Sequence, residues 1–179
     1  MVRAFIAIEL SEDIRDNLTK AQECLRKCSA RLTFVRPDYI HVTVKFLGEV
    51  EEENLKNVID TLKTVTFLPF TVSATGVTVD NFRQPHTVWC TIEDSGESAT
   101  LFHRIEEVLG LLGFGRETRR FTPHATIARV RRADKSLYTS MDTLKNKTYG
   151  SCVVSGFTLK KSTLTPHGPV YEDLLEVAW

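Results

Sequence analysis

The pattern His-x-Thr occurs twice, at His41-Val42-Thr43 and at His124-Ala125-Thr126. Each copy lies in a stretch whose apolar alternation predicts a β-strand, where positions i and i+2 share a face. Each imidazole therefore shares a face with its own hydroxyl, and two such strands side by side would aim two imidazoles and two hydroxyls into one cleft. That set offers an acid, a base and two neutral donors, without a nucleophilic side chain or a metal cage. It suits phosphodiester chemistry in which water attacks and an alcohol leaves. An imidazole of ordinary pKa, about 6.5, lets one copy be neutral and the other cationic near neutral pH. Such acid–base assistance contributes on the order of 10²–10⁴-fold. The Thr43 and Thr126 hydroxyls can donate to the non-bridging oxygens as charge builds. One His-x-Thr alone is weak, because threonine is a strand former and most strand histidines are structural. Two copies, each flanked by apolar residues, point to a site. The residues alone do not say which histidine gives the proton.

The elements around the motifs are repeated. Phe5-Ile6-Ala7-Ile8 predicts an opening strand, and Ser11 caps a helix with Ile14, Leu18, Ala21 and Leu25 on its apolar face. A short strand over Leu32 to Val35 and a turn at Arg36-Pro37-Asp38 lead into the first motif strand, which closes at Gly48. Glu51 to Leu62 reads as a helix. Phe70 to Ala74, continued after Gly76 by Val77 to Val79, and Thr87 to Ile92 read as strands, and Ala99 to Leu112 as a helix ended by Gly113 and Gly115. The second motif strand follows, entered through the extended Pro123. Then come a helix over Ser136 to Leu144 and two closing strands, Val153 to Leu164 and Tyr171 to Val177. Each motif strand thus has a helix before and after it. This suits two similar α/β lobes related by approximate two-fold symmetry, with the motif strands meeting at a central groove.

Formal net charge is zero, from 23 basic and 23 acidic residues among 179, which argues against a nucleic-acid binder relying on bulk charge. Charge is uneven, however. Arg116, Arg119, Arg120, Arg129, Arg131 and Arg132 stand against Glu117 alone, whereas Glu49, Glu51, Glu52 and Glu53 form an acidic run that reads as a solvated face. No apolar stretch is long enough to span a bilayer, and the start lacks a secretory signal, so the expected location is the cytoplasm. Cys24, Cys28, Cys90 and Cys152 read as reduced thiols.

The quoted stretches Phe5-Ile6-Ala7-Ile8, His41-Val42-Thr43-Val44-Lys45-Phe46-Leu47-Gly48 and Phe121-Thr122-Pro123-His124-Ala125-Thr126-Ile127-Ala128-Arg129, with the closing Gly168-Pro169-Val170-Tyr171, resemble the 2H phosphoesterase superfamily. Within it they look like the RNA 2′,3′-cyclic phosphodiesterase family, also described as 2′-5′ RNA ligases. The resemblance spans nearly the whole chain. It implies an α+β, bilobal fold in one domain covering 1–179, with antiparallel sheets around a groove. It also implies hydrolysis of a terminal 2′,3′-cyclic phosphate to a 2′-phosphate, with a reverse reaction making 2′-5′ linkages. By the family's assignment His41 is the proton donor and His124 the proton acceptor. No metal or other cofactor is expected, and the expected partners are RNA ends, tRNA fragments included, acted on by a monomer.

Lys45, Phe46 and Arg129 are candidate substrate contacts, through phosphate or, for Phe46, by stacking on a base. Phe46 and Arg129 each lie an odd number of residues from the neighbouring histidine. A regular strand would aim them away, and a bulge would bring them back. His86, His103 and His167 lack the following threonine and are given no role. The same tetrad could serve another cyclic phosphodiesterase, trimming of RNA ends, or a module that binds RNA ends without turnover. A metal-dependent hydrolase is disfavoured, because no acidic cluster accompanies either histidine.

Overall fold

The computed structural model describes residues 1–179. The Ser11 side chain accepts from the Ile14 amide at 3.4 Å and starts helix α1 (Glu12–Leu25), which directly follows strand β1 (Val2–Glu9). The short β2 (Arg31–Phe34) and a single 3₁₀ turn, Pro37–Tyr39, lead into β3 (His41–Val50). Then follow α2 (Glu52–Leu62), β4 (Phe70–Val79), β5 (Thr87–Glu93) and α3 (Glu97–Gly110). Next are β6 (His124–Arg132), α4 (Lys135–Leu144), β7 (Thr148–Val154), β8 (Gly156–Thr165) and β9 (Gly168–Ala178). The fold is α+β, as the sequence leads one to expect. No helix is long and apolar enough to cross a membrane.

All pairings are antiparallel, in the order β7-β4-β5-β6-β3-β1-β8-β9, with β2 on the free edge of β6. Two half-sheets, each led by a motif strand, therefore meet at β6 and β3. The chain interleaves them: β4, which follows the first motif, joins the second half, and the C-terminal β8 and β9 complete the first. At the seam β3 and β6 share one bridge, Val42 with Ala125, and β2 clasps β6 further along through Leu32 with Val130 and Phe34 with Ala128. One cluster of 38 buried residues runs beneath both halves and includes Val42, Val44, Ala125 and Ile127, with Ile14 and Leu18 of α1 and Leu101 and Ile105 of α3. Phe5 is buried outside that cluster, on the opposite face with His41.

Both motif strands carry a bulge at the same place. On β3, Thr43 pairs with Ala7 and Lys45 with Ile6, leaving Val44 as the extra residue. On β6, Thr126 pairs with Trp89 and Ala128 with Val88, leaving Ile127 as the extra residue. Two consecutive buried residues mark each bulge, Val44 with Lys45 and Ile127 with Ala128. A second irregularity on β3 lies at Leu47, where Gly48 takes φ +71°, a left-handed conformation that suits glycine.

The main departure from the sequence reading lies near the C-terminus. The stretch read as a strand over Val153 to Leu164 is two strands, because Ser155 breaks the run and β7 begins earlier, at Thr148. Polar and glycine residues at the start of β7 hid it, and it lies at the edge of the sheet, where fewer apolar residues are needed.

Candidate active site

The bridge between Val42 and Ala125 sets the site. In an antiparallel pair its flanking residues oppose each other, so the register places Thr43 across from His124 and His41 across from Thr126. The four side chains share one face, with like residues on the diagonals, and all four line one groove.

Each imidazole is fixed from behind. His124 Nδ1 donates to the Thr122 carbonyl at 2.7 Å, which fixes that tautomer and leaves Nε2 free. His41 has a backbone hydrogen bond to Tyr39, also two residues upstream, and its Nε2 lies 3.1 Å from the Thr43 hydroxyl. An aromatic ring backs each: Phe5 stacks on His41 at 5.1 Å and 25°, with Tyr171 edge-on at 5.8 Å, and Trp89 lies 4.1 Å from His124.

Burial pushes the His41 pKa below its ordinary value of 6.5. The Glu9 carboxylate and the Tyr39 backbone act against this, while Lys160 and Arg15 reinforce it. Glu9 pairs with His41 across β1 and β3, and its carboxylate is held by Lys160 at 2.7 Å and Arg15 at 3.6 Å. Lys160 also holds Asp173 at 2.6 Å.

The groove has two arms meeting at Thr43, Phe46, His124 and Thr126. One, of about 690 Å³, is walled by Arg3, Phe5, Tyr39, Arg129, Ser162 and Tyr171 and contains His41. The other, of about 590 Å³, is walled by Trp89, Phe102, Arg116, Arg119, Arg120 and Phe121.

The bulges bring Phe46 and Arg129 onto the groove face. Each stands five residues after its histidine, and one extra residue between them restores the parity. Phe46 is 69% exposed although it lies in a strand, and the Arg129 guanidinium has no carboxylate partner. Lys45 departs from the sequence expectation of a phosphate contact. It is 8% exposed, and its ammonium is bound by the Glu106 carboxylate of α3 and by the Gly115 carbonyl at 2.9 Å. The same bulge that turns Phe46 outward turns Lys45 inward, so it anchors structure beneath the second arm.

Arg3, Tyr39, Tyr171 and Trp89 were not singled out as site residues by sequence. Only the resemblance at the closing segment touched one of them, Tyr171, since the aromatic platforms come from strands distant along the chain. His86, His103 and His167 line neither arm. The cysteines are unpaired, and no three His, Cys, Asp or Glu side chains gather as metal ligands.

The sequence model for LigT like Phosphoesterase matches twice, over residues 8–89 and 92–171, one motif in each match. A curated protein of Archaeoglobus fulgidus named RNA 2′,3′-cyclic phosphodiesterase is 35% identical over 176 residues, covering 97% of this chain and 98% of its own. One of the same name from Methanothermobacter thermautotrophicus is 38% identical over 181 residues, covering 97% and 96%. Among solved structures, TT0787 of Thermus thermophilus superposes with a TM-score of 0.84 at 27% identity, covering 98% of this chain and 97% of that one. Escherichia coli LigT complexed with 3′-AMP shares the fold, with a TM-score of 0.80 at 22% identity over 99% and 97% of the two chains.

Proposed function

The chain belongs to the LigT-like phosphoesterase family, and we propose that His41, Thr43, His124 and Thr126 perform its chemistry. It hydrolyses the terminal 2′,3′-cyclic phosphate of RNA, the activity for which its full-length relatives are named. The observation that carries the catalytic assignment is the diagonal tetrad on one face of the β3–β6 seam.

The cyclic phosphate sits between the imidazoles, and the nucleoside enters the arm containing His41. Phe46 stacks on the base, and Arg129 faces the phosphate. His124, whose Nε2 is free, takes a proton from water, and the water oxygen attacks phosphorus opposite O3′. His41 gives its proton to O3′ as the P–O3′ bond breaks, leaving a 2′-phosphate and a 3′-hydroxyl. The threonine hydroxyls donate to the non-bridging oxygens. In the free groove burial favours neutral His41, the form a base needs. The bound phosphate anion and the Glu9 carboxylate both favour its cation, so substrate binding prepares it as the donor. No bound metal is needed for any of these steps.

The groove is built within one chain, which supports a monomer; its proposed partners are RNA ends in the cytoplasm, tRNA fragments among them. The test is an oligoribonucleotide ending in 2′,3′-cyclic phosphate. Conversion to the 2′-phosphate is expected, and release of a 3′-phosphate, or no turnover, rejects the reading.

A further inference from the structure

The two lobes repeat each other residue for residue around their histidines. β1 pairs with β3 as β5 pairs with β6: Ala7 faces Thr43 and Ile8 faces Val42 in one lobe, while Trp89 faces Thr126 and Cys90 faces Ala125 in the other. One position further on, the repeat carries different chemistry. Glu9 stands directly across from His41, and Thr91 directly across from His124. Directly opposed residues of an antiparallel pair share a face, with Cβ atoms about 4.5–5.5 Å apart. One histidine therefore has a carboxylate beside it, and its counterpart has a hydroxyl.

The carboxylate is built in. Lys160 of β8, 12% exposed, lies 2.7 Å from Glu9 Oε1 and donates to Asp173 of β9 at 2.6 Å. Arg15 of α1 approaches Glu9 Oε2 to 3.6 Å, but its Nε and Nη2 donate to the Leu10 carbonyl at 2.9 and 2.7 Å. Both cations are thus shared with other acceptors, and Glu9 keeps negative charge toward the imidazole. Of the charged groups around His41 it acts most strongly, ahead of Lys160 and Arg15. Tyr39 and Tyr171 bring phenol rings to the same arm, and Arg3, Glu49, Arg129 and His124 complete its charged and titratable groups.

We propose that Glu9 is the positioning residue that gives the reaction its direction, making His41 the proton donor and leaving His124, across from Thr91, as the acceptor. This rests on the catalytic reading above. A tetrad with like residues on its diagonals is chemically the same from either end, so its four side chains do not distinguish donor from acceptor. The donor must hold a proton until O3′ leaves, and a neighbouring carboxylate stabilises that imidazolium. Thr91 supplies no such charge to His124. Lys160 and Arg15 fix the carboxylate and oppose it in charge, so the imidazolium is stabilised without being locked.

The test is kcat/KM against pH for a nucleoside 2′,3′-cyclic phosphate, alongside NMR titration of the imidazole rings in the free protein. On the alkaline flank the rate follows the proton left on the donor. On the acid flank it follows the deprotonated share of the acceptor, whichever histidine titrates first. Glu9→Gln is expected to lower the His41 titration by roughly one pH unit, the lower end for a carboxylate at this range, because two cations share its charge. On the alkaline flank kcat/KM then falls roughly 3- to 10-fold, since a weaker hold on the proton is partly offset by easier transfer. Lys160→Met removes a cation from the same cluster and is expected to move both readouts the opposite way, whereas Glu9→Asp should restore the wild-type profile. Opposite signs separate a charge effect from damage to the fold, which would lower kcat/KM in both variants at every pH. An unmoved His41 titration in Glu9→Gln overturns the proposal. So does a gain on the acid flank in place of the alkaline loss, which would make His41 the acceptor. Should Glu9→Gln not fold, Lys160→Met decides: an upward His41 titration with a gain on the alkaline flank supports the proposal, and neither overturns it. If wild type does not hydrolyse the cyclic phosphate, the catalytic reading fails and takes this one with it. Wild-type turnover with unmoved profiles in the variants overturns this one alone.

Discussion

Lys45→Met separates anchoring from catalysis. Lys45 and Glu106 are 8% and 7% exposed, and removing the ammonium leaves a buried carboxylate whose remaining donor is the Glu117 amide. Breaking a buried pair from one side costs about 3–5 kcal/mol. For a chain of this length each kcal/mol moves Tm by about 2–4 °C, so a fall of roughly 6–20 °C is expected. Lys45→Met/Glu106→Leu removes both charges, and the loss shrinks to the two loop hydrogen bonds, about 1–3 kcal/mol together. The double variant should therefore melt above the single one. Thermal unfolding followed by circular dichroism gives Tm, and hydrolysis is assayed where every variant remains folded. Because the ammonium faces Glu106 and Gly115, hydrolysis should change only a few-fold, far less than the roughly 10²-fold loss of a general acid or base. A Lys45→Met protein with unchanged Tm and a hundredfold loss of hydrolysis would refute this placement and return Lys45 to the phosphate.

Replacing either His41 or His124 with Ala should lower turnover roughly 10²–10⁴-fold in steady-state assays with folding intact. Thr43→Ala and Thr126→Ala should each cost about 1–3 kcal/mol in kcat/KM, and near-normal rates would remove the hydroxyls from the mechanism. In NMR titrations His41 should titrate below 6.5 in the free protein and move upward with a nucleoside 2′-monophosphate bound. Since folding lowers that pKa, the unfolded chain binds more protons between the two values. His41's contribution to stability is therefore complete above 6.5 and lost as pH falls through the folded value, which urea melts across pH can read. Phe46→Ala should raise KM for cyclic-phosphate substrates with little change in kcat, and an unchanged KM would place the base elsewhere. Turnover against pH should be bell-shaped and indifferent to chelator, whereas loss with chelator and rescue by a divalent ion would favour metal chemistry.

The histidines and threonines were legible because a strand repeats every two residues and their spacing is two. That same rule argued against Phe46 and Arg129, and the bulges at Val44 and Ile127 reverse it. An extra residue in a strand depends on what its neighbours pair with, and here those partners are Ala7 and Ile6 on one side and Trp89 and Val88 on the other. Lys45 was misplaced for a related reason, since Glu106 lies 61 residues away and nothing local announces it. The helices were easier. The apolar stripe of α1 needs no partner to be recognised, and the largest shift is in α3, which runs Glu97–Gly110 instead of Ala99 to Leu112, its start moved because the Asp94 carboxylate accepts from the amides of Gly96 and Ser98.

The pairing of Ala4 with Lys161 sets a timetable for synthesis. β1 emerges first and can pair early with β3, but its other edge must wait for β8, a delay of roughly 8–30 s at about 5–20 residues per second. Through that interval the apolar run Phe5-Ile6-Ala7-Ile8 has an open edge, a template for association with other nascent chains. β8 and β9 end the wait and also bring Ser162 and Tyr171 to the groove. A ribosome-bound chain that already displays both histidines therefore still lacks the wall that Ser162 and Tyr171 build beside His41, and competence arrives only with the last strands.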